Sequence, residues 1–381
     1  MAMYTSEYGW RMLSFSFIIA FLLHLQLFAT APMVTVIMEE MGLSHASFAF
    51  LFSATMISLI TFRIAWGFIA DRTGYLNALK IALPISAASA LLRALSPSYI
   101  TLLLSQFFLG LGLAVVLPCL PLLVKEWSPK RLGLSTGVYV SGFALGNAAA
   151  LGLTPLLLEM MTWRDVLLVY SFVAAIVSAF WWGFARSSLK STSGLKLENF
   201  ARVLKDRYVW VLLFLMIASM GSYDTLATWM PKVLEMKELD KAIASFLPLG
   251  FFLAGPIMGL ALDKFQNGKT VLALMGIVAA ISIIGINYVP FPLLLLCIFL
   301  SGFTSIGVLT ISLAVPAKRE RLSGSVGSVV GLISSLGNIG PLMMPVVFGF
   351  LIDATGTYKV SIFSVALVAG LIFVLGSRVS E

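Results

Sequence analysis

Long apolar runs leave this 381-residue chain very few folds. Twelve stretches, at about 12–37, 47–70, 79–95, 99–123, 134–158, 165–184, 208–231, 242–262, 270–289, 293–316, 325–350 and 360–376, are almost free of charge. A spanning helix needs about 20 such residues, because about 30 Å of hydrocarbon is crossed at 1.5 Å per residue. The runs are roughly twice the length of a barrel strand and do not alternate, so spanning strands are excluded. Composition agrees: 60% of residues are hydrophobic and 11% charged, too few charges to cover a water-soluble surface. The sequence therefore predicts an all-α membrane protein of twelve transmembrane helices. Cys119 and Cys297 both lie inside apolar runs and give neither a disulfide framework nor a metal-binding spacing. No metal and no cofactor is expected.

The net charge of +8 is explained by topology. With the amino terminus inside, the connections on that side carry 18 of the 25 Lys and Arg residues, and the other side carries six, Arg93 among them. Arg63 remains, within a span. Such a bias places both termini in the cytoplasm, here of a prokaryotic inner membrane. No basic patch interleaved with aromatics exists, so no nucleic-acid partner is expected. Arg11, an apolar run and Ala29-Thr30-Ala31 imitate a cleavable signal peptide. The run continues to Ile37 and leads into further spans, so it reads as the first helix.

A basic, Ser-rich stretch at 186–207 divides six spans from six. It predicts an N-terminal bundle over 1–185, a cytoplasmic linker, and a C-terminal bundle over 208–381. An internal repeat matches this division. Arg131-Leu132-Gly-Leu-Ser135-Thr-Gly137 is answered by Arg321-Leu322-Ser-Gly-Ser325-Val-Gly327, and Leu145-Gly146-Asn147 by Leu336-Gly337-Asn338. Gly67-Phe-Ile-Ala-Asp71-Arg72 is answered by Gly259-Leu-Ala-Leu-Asp263-Lys264, and the offsets are 190 to 192 residues throughout. Duplicated halves of this kind place a substrate site between them near the bilayer midplane.

At these residues the chain resembles the major facilitator superfamily over its whole length. Gly67-Phe-Ile-Ala-Asp71-Arg72-Thr-Gly74 resembles the family's G-x-x-x-D-(R/K)-x-G-(R/K) loop, with Tyr75 where a basic residue is usual. The resemblance implies two pseudo-symmetric six-helix bundles and a gating loop made by Gly67, Asp71, Arg72, Gly74, Asp263 and Lys264. Physically, Asp71 at a helix end suits a neighbouring helix N-terminus, and Gly74 permits the tight turn. Two further family patterns are altered: Gln106 stands ahead of Gly110 and Gly112 where the arginine pattern is usual, and Asn147 replaces the proline of the antiporter pattern. Phe62-Arg63-Ile64-Ala65-Trp66-Gly67 is similar to the second span of nitrate/nitrite porters, which implies substrate binding by Arg63. Their second arginine, before Pro256, is Gly255 here. One arginine suits a solute with a single negative charge, such as a monocarboxylate or a cyanate-like anion.

Ionisable groups inside a membrane are costly and point to function. Arg63 lies eight residues before Asp71, about 12 Å along the helix. It is either a snorkelling residue or a permanent cation whose planar fork suits an anion. His24 and Gln26 in the first span, with Tyr139, Asn147 and Asn338, are the other substrate-binding candidates. Each has a plainer role in helix packing or helix–helix hydrogen bonding. Asp224, in Gly221-Ser222-Tyr223-Asp224-Thr225, is a coupling site for a proton or cation, or a hydrated group near the mouth. Trp66, Tyr223 and Trp229 are cavity-lining or packing aromatics.

Together these residues predict a monomeric secondary transporter for a small monovalent anion, a monocarboxylate or small inorganic anion, working by alternating access. Its partners are that solute, a coupling proton or cation, and the bilayer. The alternative is proton-coupled efflux of hydrophobic or cationic compounds, with Asp224 as the cation partner. No G-x-x-x-x-G-K-(S/T) sequence occurs, so no ATP-driven step is expected. A lipid-modifying enzyme lacks a nucleophile or metal motif around His24 and His45, and a transport-inactive sensor or scaffold stays open on sequence, without an extra soluble domain to carry a signal.

Overall fold

A computed structural model describes residues 7–128, 132–186, 206–264, 268–318 and 326–378. The described residues are almost wholly helical. In the first half they form α1 (Glu7–Phe28), a short 3-10 turn (Ala31–Met33), α2 (Val34–Met41), α3 (His45–Thr73), α4 (Tyr75–Ala94), α5 (Tyr99–Leu113), α6 (Val116–Trp127), α7 (Leu132–Leu158) and α8 (Trp163–Phe184). The second half holds α9 (Arg207–Met236), a 3-10 turn (Lys241–Ser245), α10 (Phe246–Lys264), α11 (Gly268–Tyr288), α12 (Leu293–Lys318), α13 (Val326–Leu336), α14 (Ile339–Thr355) and α15 (Tyr358–Gly376). Eleven of the twelve spans are long and apolar enough to cross a membrane among the described residues. The eighth, expected at 242–262, is α10, of which the apolar stretch Lys241–Ala254 counts as shorter.

Among the described residues three spans are broken, each four or five residues before a proline. The first span ends at Phe28 ahead of Pro32, the fourth is interrupted after Leu113 ahead of Pro118, and the eleventh after Leu336 ahead of Pro341. Proline has no N–H to give the carbonyl four residues back, and its ring crowds that carbonyl. Pro84, Pro155, Pro231 and Pro345 nevertheless sit inside continuous helices, where neighbouring groups in a bundle can take up the freed carbonyl.

The chain divides into two compact units, Met1–Gly42 with Phe50–Gly194, and Leu43–Ala49 with Leu195–Glu381. Their internal packing follows one scheme. In the first unit α1 packs on α7 and α4 on α8; in the second α9 packs on α14 and α11 on α15. Those are spans one with five, three with six, seven with eleven and nine with twelve. The sequence repeat is thus a repeat of helix pairing. Of the 186–207 linker, residues 187–205 lie outside the described residues.

Small residues set the closest approaches. A Cβ on Gly142 would stand 2.6 Å from the Phe17 carbonyl oxygen, and one on Gly146 would collide with that of Phe21, so these two glycines seat α7 on α1 one helical turn apart. In the second unit Gly221 and Gly340 face each other between α9 and α14. Small residues in contact let backbones meet where lipid supplies no hydrophobic drive between helices.

The second unit also holds a capped helix start. Asp353 accepts hydrogen bonds from the backbone N–H of His45 at 3.0 Å and of Ala46 at 2.9 Å. Its Oδ1 lies 2.7 Å from His45 Nδ1. A carboxylate at a helix N-terminus satisfies orphan donors and meets the positive end of the dipole. Asp353→Ala is expected to lower stability by about 1–2 kcal/mol, read as a lower thermal midpoint of the purified protein. An unchanged midpoint would remove Asp353 from that role.

Candidate functional site

The polar residues of the first unit sort onto two faces of α1. His24 faces α7. Its Nδ1 lies 3.2 Å from Asn147 Oδ1, and its ring stacks on Phe143 with centroids 4.3 Å apart and planes 28° from parallel. Tyr139 meets Phe143 edge-on at 5.7 Å. Tyr139, Phe143 and Asn147 recur every four residues, so one stripe of α7 carries all three. The structure therefore brings together His24, Asn147 and Tyr139, which the sequence named, around Phe143, which it did not. The signal was available: Phe143 is midway between two named residues at helical spacing.

Gln26, two residues on, turns the other way. It is fully buried, its Oε1 accepts from Ser86 Oγ at 3.0 Å, and its backbone carbonyl accepts from Arg93 Nη1 at 2.8 Å. It belongs to the α1–α4 contact and not to the His24 cluster.

Arg63 is half-buried on α3. It lies ten residues before the end of that helix, about 15 Å along its axis. Trp66, one turn on, is 3% exposed, and its indole N–H donates to the Leu111 carbonyl at 2.8 Å. That carbonyl sits between Gly110 and Gly112, where α5 runs close to its neighbours. Trp66 therefore fastens α3 to α5. Of the loop residues, Gly74 has φ of +84°, a conformation that favours glycine, and Arg72 is exposed. The side chains of Asp71, Asp263 and Lys264 lie outside the described residues.

In the second unit Asn338 does not repeat the role of Asn147. Its Nδ2 donates back to the Ser334 carbonyl at 2.6 Å, which patches the Gly337–Asn338 break in its own span. Asp224 is half-buried on α9, and its carboxylate makes no hydrogen bond or ion pair among the described residues. Its neighbour Tyr223 is buried edge-on against Phe251 at 5.4 Å. Trp229 is wholly buried, with its N–H on the Pro345 carbonyl at 3.0 Å. It packs, as Trp66 does. Among the described residues no group of His, Cys, Asp and Glu has the arrangement of a metal site.

Chemically, the first unit offers the Arg63 guanidinium and a ring pair, His24 on Phe143, whose imidazole is steered by an amide. A hydrogen bond at one ring nitrogen decides what the other offers: where Asn147 Oδ1 accepts from Nδ1–H, the neutral imidazole presents Nε2 as an acceptor.

Comparisons with known proteins agree with this architecture. The chain is 24% identical over 363 residues to the 2-nitroimidazole transporter of Escherichia coli K12, covering 91% of this chain and 89% of that protein. It is 24% identical over 354 residues to the probable nitrate transporter NarT of Staphylococcus epidermidis, covering 88% of each. Its fold matches the crystal structure of a bacterial homolog of the human lysosomal transporter Spinster with a TM-score of 0.76, at 16% identity, over 98% of this chain and 96% of that one. The sequence profile of the Major Facilitator Superfamily matches residues 16–254. With helices paired alike in its two halves and a profile match over more than half its length, the chain belongs to the Major Facilitator Superfamily, a family of transporters and not of enzymes.

Proposed function

We propose that the protein carries a small monovalent anion, a monocarboxylate or a small inorganic anion, across a prokaryotic inner membrane by alternating access. Both termini lie in the cytoplasm, and the gating loop runs through Gly67–Gly74 with its repeat at Asp263 and Lys264. The observation that carries the reading is Arg63, a guanidinium held half-buried within a span. Its planar fork matches two coplanar oxygens. Nitrate and a nitro group both present such an O–N–O edge, which gives chemical sense to the names of the two relatives. His24 and Asn147 orient the solute, Phe143 and Tyr139 give it an aromatic wall, and Asp224 serves as the coupling site for a proton or cation.

Ligand-dependent thermal stabilisation of the purified protein tests this. A panel of monovalent anions, sugars, amines and hydrophobic drugs is added in turn. A true ligand at a hundred times its Kd raises stability by about 2.7 kcal/mol. Responses confined to monovalent anions are expected. Responses confined to cations or drugs would overturn the reading and favour efflux, with Asp224 as the cation partner.

A further inference from the structure

Arg93 poses a separate problem from the site above. Among the described residues it is the largest charged side chain to be wholly buried, with 0% exposure in the last turn of α4. Among the described residues it makes one hydrogen bond, from Nη1 to the Gln26 carbonyl at 2.8 Å. That bond has a structural reason, because Gln26 is among the last residues of α1, whose carbonyls find no partner further along the helix. The rest of the guanidinium has none. Nε and Nη2 are buried without a hydrogen-bond partner among the described residues, and so is Nε2 of Gln26. Glu40, on α2, does not compensate: it is held by Trp163 at 2.6 Å and by Arg164.

The pattern of what is used and what is left over is informative. Nη1 takes the carbonyl, whereas Nε–H and the neighbouring Nη2–H, which form one parallel edge of the guanidinium, are both left over. That edge is the one that grips a planar oxyanion through two parallel hydrogen bonds. The amide of Gln26, whose Oε1 accepts from Ser86 Oγ at 3.0 Å, adds another buried donor, Nε2. All three leftover groups are donors. A buried cation with unmet donors carries a heavy desolvation cost unless it is paired, and unmet buried groups call for an explanation, an ion among the possibilities.

We propose that Arg93 and Gln26 form a second anion site within the first unit, for a planar monovalent oxyanion such as nitrate or a small carboxylate. It stands independently of the reading of Arg63. Counted from the 67–74 turn, Arg63 lies about 15 Å along α3 and Arg93 about 28 Å along α4, so the two residues leave their helices at different depths. An anion held at Arg93 also joins the break after Phe28 to α4, since Gln26 lies two residues before that break.

The test uses the purified full chain carrying Arg63→Gln, so that any response at the first guanidinium is removed. The thermal midpoint is followed against sodium nitrate and sodium formate, with sodium chloride and sodium sulfate at matched ionic strength. A saturable rise with nitrate and formate, and little with chloride or sulfate, is expected. Adding Arg93→Lys keeps the charge but removes the fork, and should raise the half-saturating concentration by about tenfold or more, one hydrogen-bonded contact in affinity terms. Gln26→Leu, which leaves Arg93 intact, should raise it severalfold and keeps the test open should Arg93→Lys not fold. No anion-specific rise in the Arg63→Gln protein overturns the proposal. So does an equal response to chloride, or one that neither Arg93→Lys nor Gln26→Leu weakens.

Discussion

Arg63→Gln is expected to abolish uptake of the transported anion while the chain remains folded and inserted. Removing one partner of a buried charge-assisted contact costs about 3 kcal/mol, roughly a hundredfold in affinity. Glutamine keeps much of the length and some hydrogen bonding but loses the charge and the two-donor fork. Arg63 is half-buried, and the neighbouring fastening of α3 to α5 by Trp66 does not depend on it. The thermal midpoint without ligand should therefore change little. Uptake into proteoliposomes and the midpoint, measured on one preparation, separate the two effects. Full uptake by Arg63→Gln would sink the anion site. Asp224→Asn is the companion variant: it should leave anion binding in place and remove the dependence of uptake on the coupling ion. If Asp224→Asn instead loses binding of cations and Arg63→Gln loses nothing, the efflux reading stands.

The second large effect is structural. Gly146→Leu is expected to cost about 3 kcal/mol or more through overpacking, because even a Cβ there collides with the Phe21 carbonyl and would lie 3.1 Å from Leu25 N. Neither neighbour is a flexible side-chain end that can swing aside. The helices must part, and Asn147, the next residue, moves away from His24. Gly146→Leu should thus lose stability and transport together, unlike Arg63→Gln. Gly183→Ala is the control: nothing lies within 4 Å of a Cβ there, so its effect should fall within about 0.5 kcal/mol. A stable, active Gly146→Leu protein would show that α1 and α7 do not meet at this glycine.

Much of this architecture was legible in the sequence because hydrocarbon is an exacting solvent. Span length and charge-free runs are forced by the bilayer, and the repeat offset of 190 to 192 residues reappears as matched helix pairs. Features that depend on which way a side chain turns were less accessible. Gln26 and His24 are two residues apart in one span, yet a two-residue step on a helix is about 200° of rotation, and the two side chains serve different neighbours. Arg93 counted as a basic residue near a connection; only packing shows that it is enclosed. Asn147 and Asn338 are equivalent by sequence, but at the break ahead of Pro341 the Asn338 side chain reaches the Ser334 carbonyl on its own helix, and local hydrogen bonding wins there. The breaks themselves follow from proline chemistry. Their selection among eight or more intrahelical prolines does not, because it depends on whether a neighbour can take up the freed carbonyl.

The glycine seats on α7 have an evolutionary corollary. The helix that carries Tyr139, Phe143 and Asn147 is held against α1 by Gly142 and Gly146, which contribute no side chain to the proposed recognition stripe. Exchanging one recognition side chain therefore leaves the docking geometry untouched. If that stripe recognises the solute as proposed, substrate range can drift in single steps along 139, 143 and 147 under a fixed frame. Laboratory selection for new solutes should accumulate changes on that stripe while leaving the two glycines invariant.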